Sequence, residues 1–126
     1  MKSIVTGGCG FIGSHIVDRL LAEGHEVIVI DNCSTGRLEN LAHHEENPHL
    51  IIAQADICDH EKIAPLFSGV DWVFHMAALA DIVPSIQRPE DYFRSNVDGT
   101  FSVLQAAKEA GVKRFLYTAS SSCYGI

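Results

Sequence analysis

Apolar residues fall along this chain in short runs that alternate with helical stripes, from one end to the other. Ser3-Ile4-Val5 is a β-branched run suited to a buried strand, and Ile16, Val17, Leu20 and Leu21 then recur at helical spacing. Glu26 to Ile30 (EVIVI) predicts a second buried strand. Asn32 to Pro48 is polar and predicts a loop with a short helix beginning near Gly36 or Arg37. Leu50 to Ala53 predicts a third strand, ending near Gln54-Ala55-Asp56. His60 to Phe67 predicts a brief amphipathic helix with Ile63, Leu66 and Phe67 inward and Asp59 as its N-cap. Asp71 to His75 predicts the fourth strand, and Met76 to Pro89 a loop punctuated by Pro84 and Pro89. The longest predicted helix is Glu90 to Ala110, with Phe93, Val97, Phe101, Leu104 and either Ala107 or the stem of Lys108 inward and Gly111 as C-cap. Phe115 to Thr118 predicts a fifth strand, and a polar loop runs through Gly125. Strands alternating with helices make an α/β fold, a doubly wound parallel sheet with the expected strand order 3-2-1-4-5.

The first turn carries the most chemistry. Gly7-Gly8-Cys9-Gly10-Phe11-Ile12-Gly13 joins a predicted strand to a predicted helix, the setting a dinucleotide fingerprint requires. Gly7 turns the chain off the strand, Gly10 lets a pyrophosphate approach the backbone, and Gly13 lets the helix pack close to the sheet. The N–H groups of the first helical turn lack intrahelical partners and carry the positive end of the dipole, so they suit an anion. A glycine-rich turn alone can be an ordinary βα connection. Here the second strand ends in Asp31, about twenty residues on, where a carboxylate accepts hydrogen bonds from an adenosine ribose.

Composition narrows the possibilities further. The 126 residues suffice for one domain and one core. A net charge of −7 argues against a nucleic-acid or anionic-membrane surface. No apolar run is long enough to span a bilayer, and Met1-Lys2 leads straight into a strand, so a cytoplasmic protein is expected. Cys9, Cys33, Cys58 and Cys123 form no C-x-x-C pair and read as reduced thiols. His43-His44 and His49 fall in the polar loop without H-x-x-x-H or H-x-x-E-H spacing, so no metal is expected.

Several small, polar or acidic residues follow the strands: Gly7 to Gly13, Asp31-Asn32, Asp56-Ile57, His75-Met76-Ala77-Ala78 and Ser120. Taken with Ser34-Thr35-Gly36, Asn96-Val97-x-Gly99-Thr100 and Ser120-x-x-x-Tyr124-Gly125, this set resembles the extended short-chain dehydrogenase/reductases. Within them it is most similar to nucleotide-sugar 4-epimerases of the UDP-glucose/UDP-N-acetylglucosamine type. The resemblance covers the whole chain and implies a Rossmann domain that binds NAD. It implies that Gly7, Gly10, Phe11, Ile12, Gly13, Asp31, Asn32, Ser34, Thr35 and Gly36 surround the cofactor's pyrophosphate and ribose. By the same resemblance Asp56 and Ile57 hold the adenine, Ala77, Ala78 and Leu79 line the nicotinamide side, and Asn96 braces the backbone there. Ser120 matches the catalytic serine, Asp81 to Ser85 would face the sugar, His75 is expected to be structural, and Tyr124 to serve packing.

The resemblance also implies a catalytic Tyr-x-x-x-Lys pair roughly two dozen residues beyond Ser120. None of Tyr92, Tyr117 and Tyr124 has a lysine four positions on. The chain therefore reads as the front of a larger protein, the cofactor half of a nucleotide-sugar enzyme that is expected to form a homodimer at full length. A 4,6-dehydratase or decarboxylase on the same scaffold, or a short non-catalytic NAD-binding protein, are the alternatives. Asp56 as a simple turn cap and Ser120 in a plain polar loop stay open beside these roles.

Overall fold

The computed structural model describes residues 1–126. Five parallel strands, β1 (Lys2–Thr6), β2 (Glu26–Asp31), β3 (Leu50–Gln54), β4 (Trp72–His75) and β5 (Arg114–Tyr117), form one sheet in the order β3-β2-β1-β4-β5. This is the expected doubly wound arrangement. Alternate residues of the central strands serve opposite faces. Ile4, Ile28, Ile30 and Val73 pack on one face with Ile57, Ile63, Phe67, Val103 and Ala106. Val5, Val27 and Val29 pack on the other with Val17 and Leu20 of helix α1 (Phe11–Ala22) and with Leu41.

The segment after β2 is a 3-10 helix, Leu38–His44, seated by the buried Leu41. Helix α2 (His60–Ile63) runs into a 3-10 turn at Ala64–Phe67, and the Asp59 side chain accepts from the Lys62 N–H as its N-cap. At the outer strands the sheet is less covered: Ile51 is 56% exposed on β3 and Tyr117 61% on β5.

Two expectations need correction. Between Met76 and Pro89 lies a short helix, α3 (Ile82–Gln87), where a loop was predicted. Pro84 falls within its first turn, where the missing N–H breaks no hydrogen bond. The long helix is in three parts: α4 (Pro89–Phe93), a π-helical turn (Arg94–Asp98) and α5 (Gly99–Ala110), with Gly111 in the left-handed conformation as its cap. Its predicted inward stripe is wrong at four of five positions. Phe93, Val97, Phe101 and Leu104 are exposed, and the buried positions are Gly99, Ser102, Val103, Ala106 and Ala107. Close approach decides this, since a Cβ at Gly99 would sit 2.5 Å from Ile57 Cδ1. The sheet takes the small-residue face of the helix, and the large residues are turned away.

Candidate functional site

The strands leave the sheet level with one another, because Thr6 is in register with Ile30 on one side and His75 on the other. The turns that follow them therefore share one edge. Gly7 departs from β1 with φ of 68°, and a Cβ there would lie 2.8 Å from the Ala77 nitrogen. A Cβ at Gly13 would overlap the Gly7 carbonyl oxygen. Only glycine fits at these two places, so the turn is pressed between β4's continuation and α1. Gly10 caps α1 without a side-chain hydrogen bond, and the first turn carries no acid. The dipole end is left for an anion.

Asp31 is buried at the end of β2 and holds the turn from the other side. Its Oδ2 accepts from the Cys9 N–H (3.0 Å) and its Oδ1 from the Cys33 N–H (2.8 Å). The Cys9 carbonyl in turn accepts from the Arg37 N–H (3.0 Å) and from Asn40 Nδ2 (2.8 Å). Gly36 lies against Cys9, where a Cβ would be 2.9 Å from the carbonyl carbon. Burial, reinforced by the charge of Asp31, pushes the Cys9 thiol up to about 12, so this cysteine is a packing group and no nucleophile. Asn32 Oδ1 accepts from the Ser34 N–H at 3.0 Å and shapes the next turn. Beyond β3, Asp56 accepts from the Cys58 N–H (2.9 Å) and pairs with Arg94 (2.8 Å). Burial raises its carboxyl, but these hydrogen bonds outweigh it and hold the group below the usual carboxylate range.

These segments enclose one cleft of about 310 Å³. Gly7, Gly10, Phe11, Ile12 and Gly13 line it with Asp31 and Asn32, and Ser34, Thr35 and Gly36 join them. Asp56 and Ile57 border it from β3, and Ala77, Ala78 and Leu79 from β4. Asn96 lies outside this cleft. Its side chain spans both polar groups of Leu79, accepting from the N–H and donating to the carbonyl at 2.9 Å each. It lines an adjoining cavity of about 440 Å³ that shares Met76 to Leu79 with the first and reaches Ser120. Ser120 is exposed and its Oγ accepts from the Ser122 N–H at 3.1 Å, capping a 3-10 turn at Ser121–Tyr124. Tyr124, expected to pack, is 93% exposed, because the turn carries it away from the sheet.

Beneath Met76 and Ala77 lies a buried polar chain. The Thr6 hydroxyl oxygen accepts from the Met76 and Ala77 N–H groups at 3.1 Å each and lies 2.7 Å from His75 Nδ1. Across the ring, His75 Nε2 is 2.9 Å from Thr100 Oγ1, which donates to the Asn96 carbonyl at 2.7 Å. Every hydrogen is accounted for if neutral His75 donates from Nε2 and Thr6 donates to Nδ1. Burial lowers the His75 pKa to about 4, which keeps the ring neutral. His75 is thus structural, as expected. Thr6, Asn40, Arg94 and Thr100 carry roles that sequence reasoning missed. Thr6 and Thr100 left a faint signal, being polar residues at a strand end and next to Gly99 on a helix.

The NAD dependent epimerase/dehydratase family model matches residues 3–126. The chain belongs to this family. It is 42% identical over 125 residues to UDP-glucuronic acid decarboxylase 4 of Arabidopsis thaliana, covering 99% of this chain and 27% of that protein. To UDP-glucose 4-epimerase of Mycolicibacterium smegmatis it is 40% identical over 127 residues, covering 99% and 41%. Its fold matches UDP-N-acetylglucosamine 4-epimerase from Methanobrevibacter ruminantium with a TM-score of 0.90 at 38% identity, over 98% of this chain and 39% of that one. It also matches a dTDP-glucose 4,6-dehydratase from Streptomyces venezuelae, solved with NAD bound, with a TM-score of 0.93 at 39% identity, over 99% and 41%. The chain therefore spans well under half the length of these relatives. Membership carries NAD as the cofactor, and the residues present fit it: a tight turn that admits only glycine at positions 7 and 13, a bare helix N-terminus, and carboxylates toward β2 and β3. No helix is long and apolar enough to cross a membrane.

Proposed function

We propose that this chain is the NAD-binding portion of a nucleotide-sugar 4-epimerase, with a UDP-hexose as substrate. NAD, when bound, supplies the acceptor for transient oxidation at the sugar C4. The chain's own part is to bind and orient. Gly7 to Gly13 and the α1 terminus hold the pyrophosphate, Asp31 with Asn32 to Gly36 the ribose, and Asp56 and Ile57 the adenine. Asn96 and Thr6 fix the Met76–Leu79 backbone from opposite sides, so the floor beside the reacting ring does not move. Ser120, at the far end of the adjoining cavity, holds the sugar's C4 oxygen by hydrogen bond while a tyrosine–lysine pair, outside these 126 residues, moves its proton.

The observation that carries epimerisation over elimination or decarboxylation is the lining of the Ser120 cavity. From His75 to Ala80, at Asn96 and Thr100, and from Tyr117 to Ser120, it presents no carboxylate. Losing water from a 4-keto sugar needs an added acid and base beside the ketone, and Ser121 and Ser122 cannot serve as tuned carboxylic acids do. High identity to a decarboxylase over this portion is compatible with either outcome, because the cofactor half is shared. Incubating the enzyme that contains this chain with UDP-glucose, UDP-N-acetylglucosamine, UDP-glucuronate and dTDP-glucose, with products followed by NMR, tests the reading. C4 epimers are expected; a 4-keto-6-deoxy sugar or a decarboxylated pentose overturns it. Ser120→Ala should lower kcat by about 2–4 kcal/mol of barrier while leaving NAD affinity unchanged. Two copies would meet through the exposed stripe of Phe93, Val97, Phe101 and Leu104. Sedimentation would show a dimer that Phe101→Glu disrupts.

A further inference from the structure

Asp18 and the pair His43-His44 are 25 and 26 residues apart, and nothing in their spacing suggests a joint role. The fold brings them together at one point. Asp18 projects from α1, one position after the buried Val17. Leu41, 1% exposed, plugs the 3-10 segment into the same core cluster as Val17 and Leu20. Two and three residues later, both imidazoles reach the Asp18 carboxylate. His43 Nε2 lies 2.7 Å and His44 Nε2 2.6 Å from the same oxygen, Oδ1, and the two rings are 4.0 Å apart. The three possible ligand atoms lie within 4.8 Å of one another.

From this geometry we infer a site for a divalent transition-metal ion of the zinc class, built from Asp18, His43 and His44. Two imidazoles and a carboxylate suit Zn²⁺, Ni²⁺ or Cu²⁺, whereas Mg²⁺ and Ca²⁺ prefer sites made of oxygen. Ligands at about 2.0–2.1 Å from a tetrahedral ion stand about 3.3 Å apart, so each imidazole has to withdraw from Oδ1 by about 0.6–0.7 Å. His43 is exposed enough to swing, and His44 is more deeply held. Three protein ligands leave one position of a tetrahedral ion to water or an exchangeable ligand. Because the same 3-10 segment carries Asn40, which holds the Cys9 carbonyl, an ion here would clamp α1 to the wall of the nucleotide cleft.

The test is a Co²⁺ titration of the purified protein under reducing conditions, followed by Zn²⁺ displacement. One equivalent should bind with the visible absorption of a tetrahedral nitrogen–oxygen site and without a thiolate charge-transfer band. His44→Gln and Asp18→Asn should each weaken binding by about tenfold or more. If circular dichroism shows either variant unfolded, the exposed His43→Gln decides in its place, with the same loss expected. Affinity unchanged in the folded variants, or a spectrum dominated by thiolate, overturns the site and leaves the cluster as a hydrogen-bonded latch.

Discussion

A single hydroxyl, that of Thr6, fixes the backbone on which the candidate site's floor is built. It satisfies two partly buried N–H groups and the His75 ring at once. Thr6→Val keeps the volume and strands those partners, so the protein should lose about 2–3 kcal/mol in chemical denaturation, while Thr6→Ser retains most of it. An unchanged midpoint for the valine variant would show that the network carries no stability. His75 gives a pH signature with a definite sign. Its folded pKa of about 4 lies below the ordinary value of 6.5, so between those values the unfolded chain binds the additional proton. Stability is therefore full above pH 6.5 and falls as the pH drops toward 4, by about 3 kcal/mol for a shift of this size. Asp18 and Asp56, held below the usual carboxylate range, lose their contributions only at still lower pH, which separates the two windows. Denaturation curves at pH 7 and pH 4.5 should differ for the native protein and converge for His75→Gln.

Among the elements, the helix from Pro89 to Ala110 teaches most. Its large apolar residues recur at helical spacing, and that spacing marks a stripe without saying what covers it. The π-helical turn at Arg94–Asp98 adds a residue to the repeat and shifts the phase between its two ends. Gly99, Val103 and Ala106 then present a flat face on which the sheet and Ile57 can close. Substitutions separate the two faces. Phe101→Glu should change the monomer's stability by no more than about 0.5 kcal/mol, as at other exposed positions. Ala106→Leu should cost about 1–3 kcal/mol through overpacking. Thermal melts of both at low protein concentration check this, and the reverse order would restore the stripe read from the sequence.

For the whole molecule, the nucleotide cleft has a charge character that predicts its cofactor form. On the proposed function the buried Asp31 carboxylate, which lines the cleft, sits beside the ribose 2′ position, and at contact distance its repulsion of a 2′-phosphate is worth several kcal/mol at an effective dielectric of about 20. NAD should therefore bind more than about tenfold tighter than NADP in calorimetric titration; equal affinity, with Arg37 as the neighbouring cation, would remove Asp31 from the ribose site. Strand order, the glycine turn, Asp31 and the set of residues at the strand ends were all legible in the amino-acid sequence. Each depends on local chemistry: continuous apolar runs for strands buried on both faces, left-handed or Cβ-free backbone, a carboxylate at the end of a strand. The side of the long helix that packs, the short α3, the Thr6–His75–Thr100 chain and the Asp18–His43–His44 cluster were not legible. The two polar clusters join residues tens of positions apart, and only the sheet's register and the packing depth of Leu41 bring them within a hydrogen bond of one another, while α3 is a local helix that Pro84 hid. Periodicity can say that a face is apolar; which neighbour it meets is set by how closely two backbones approach, and that distance exists only once the chain has folded.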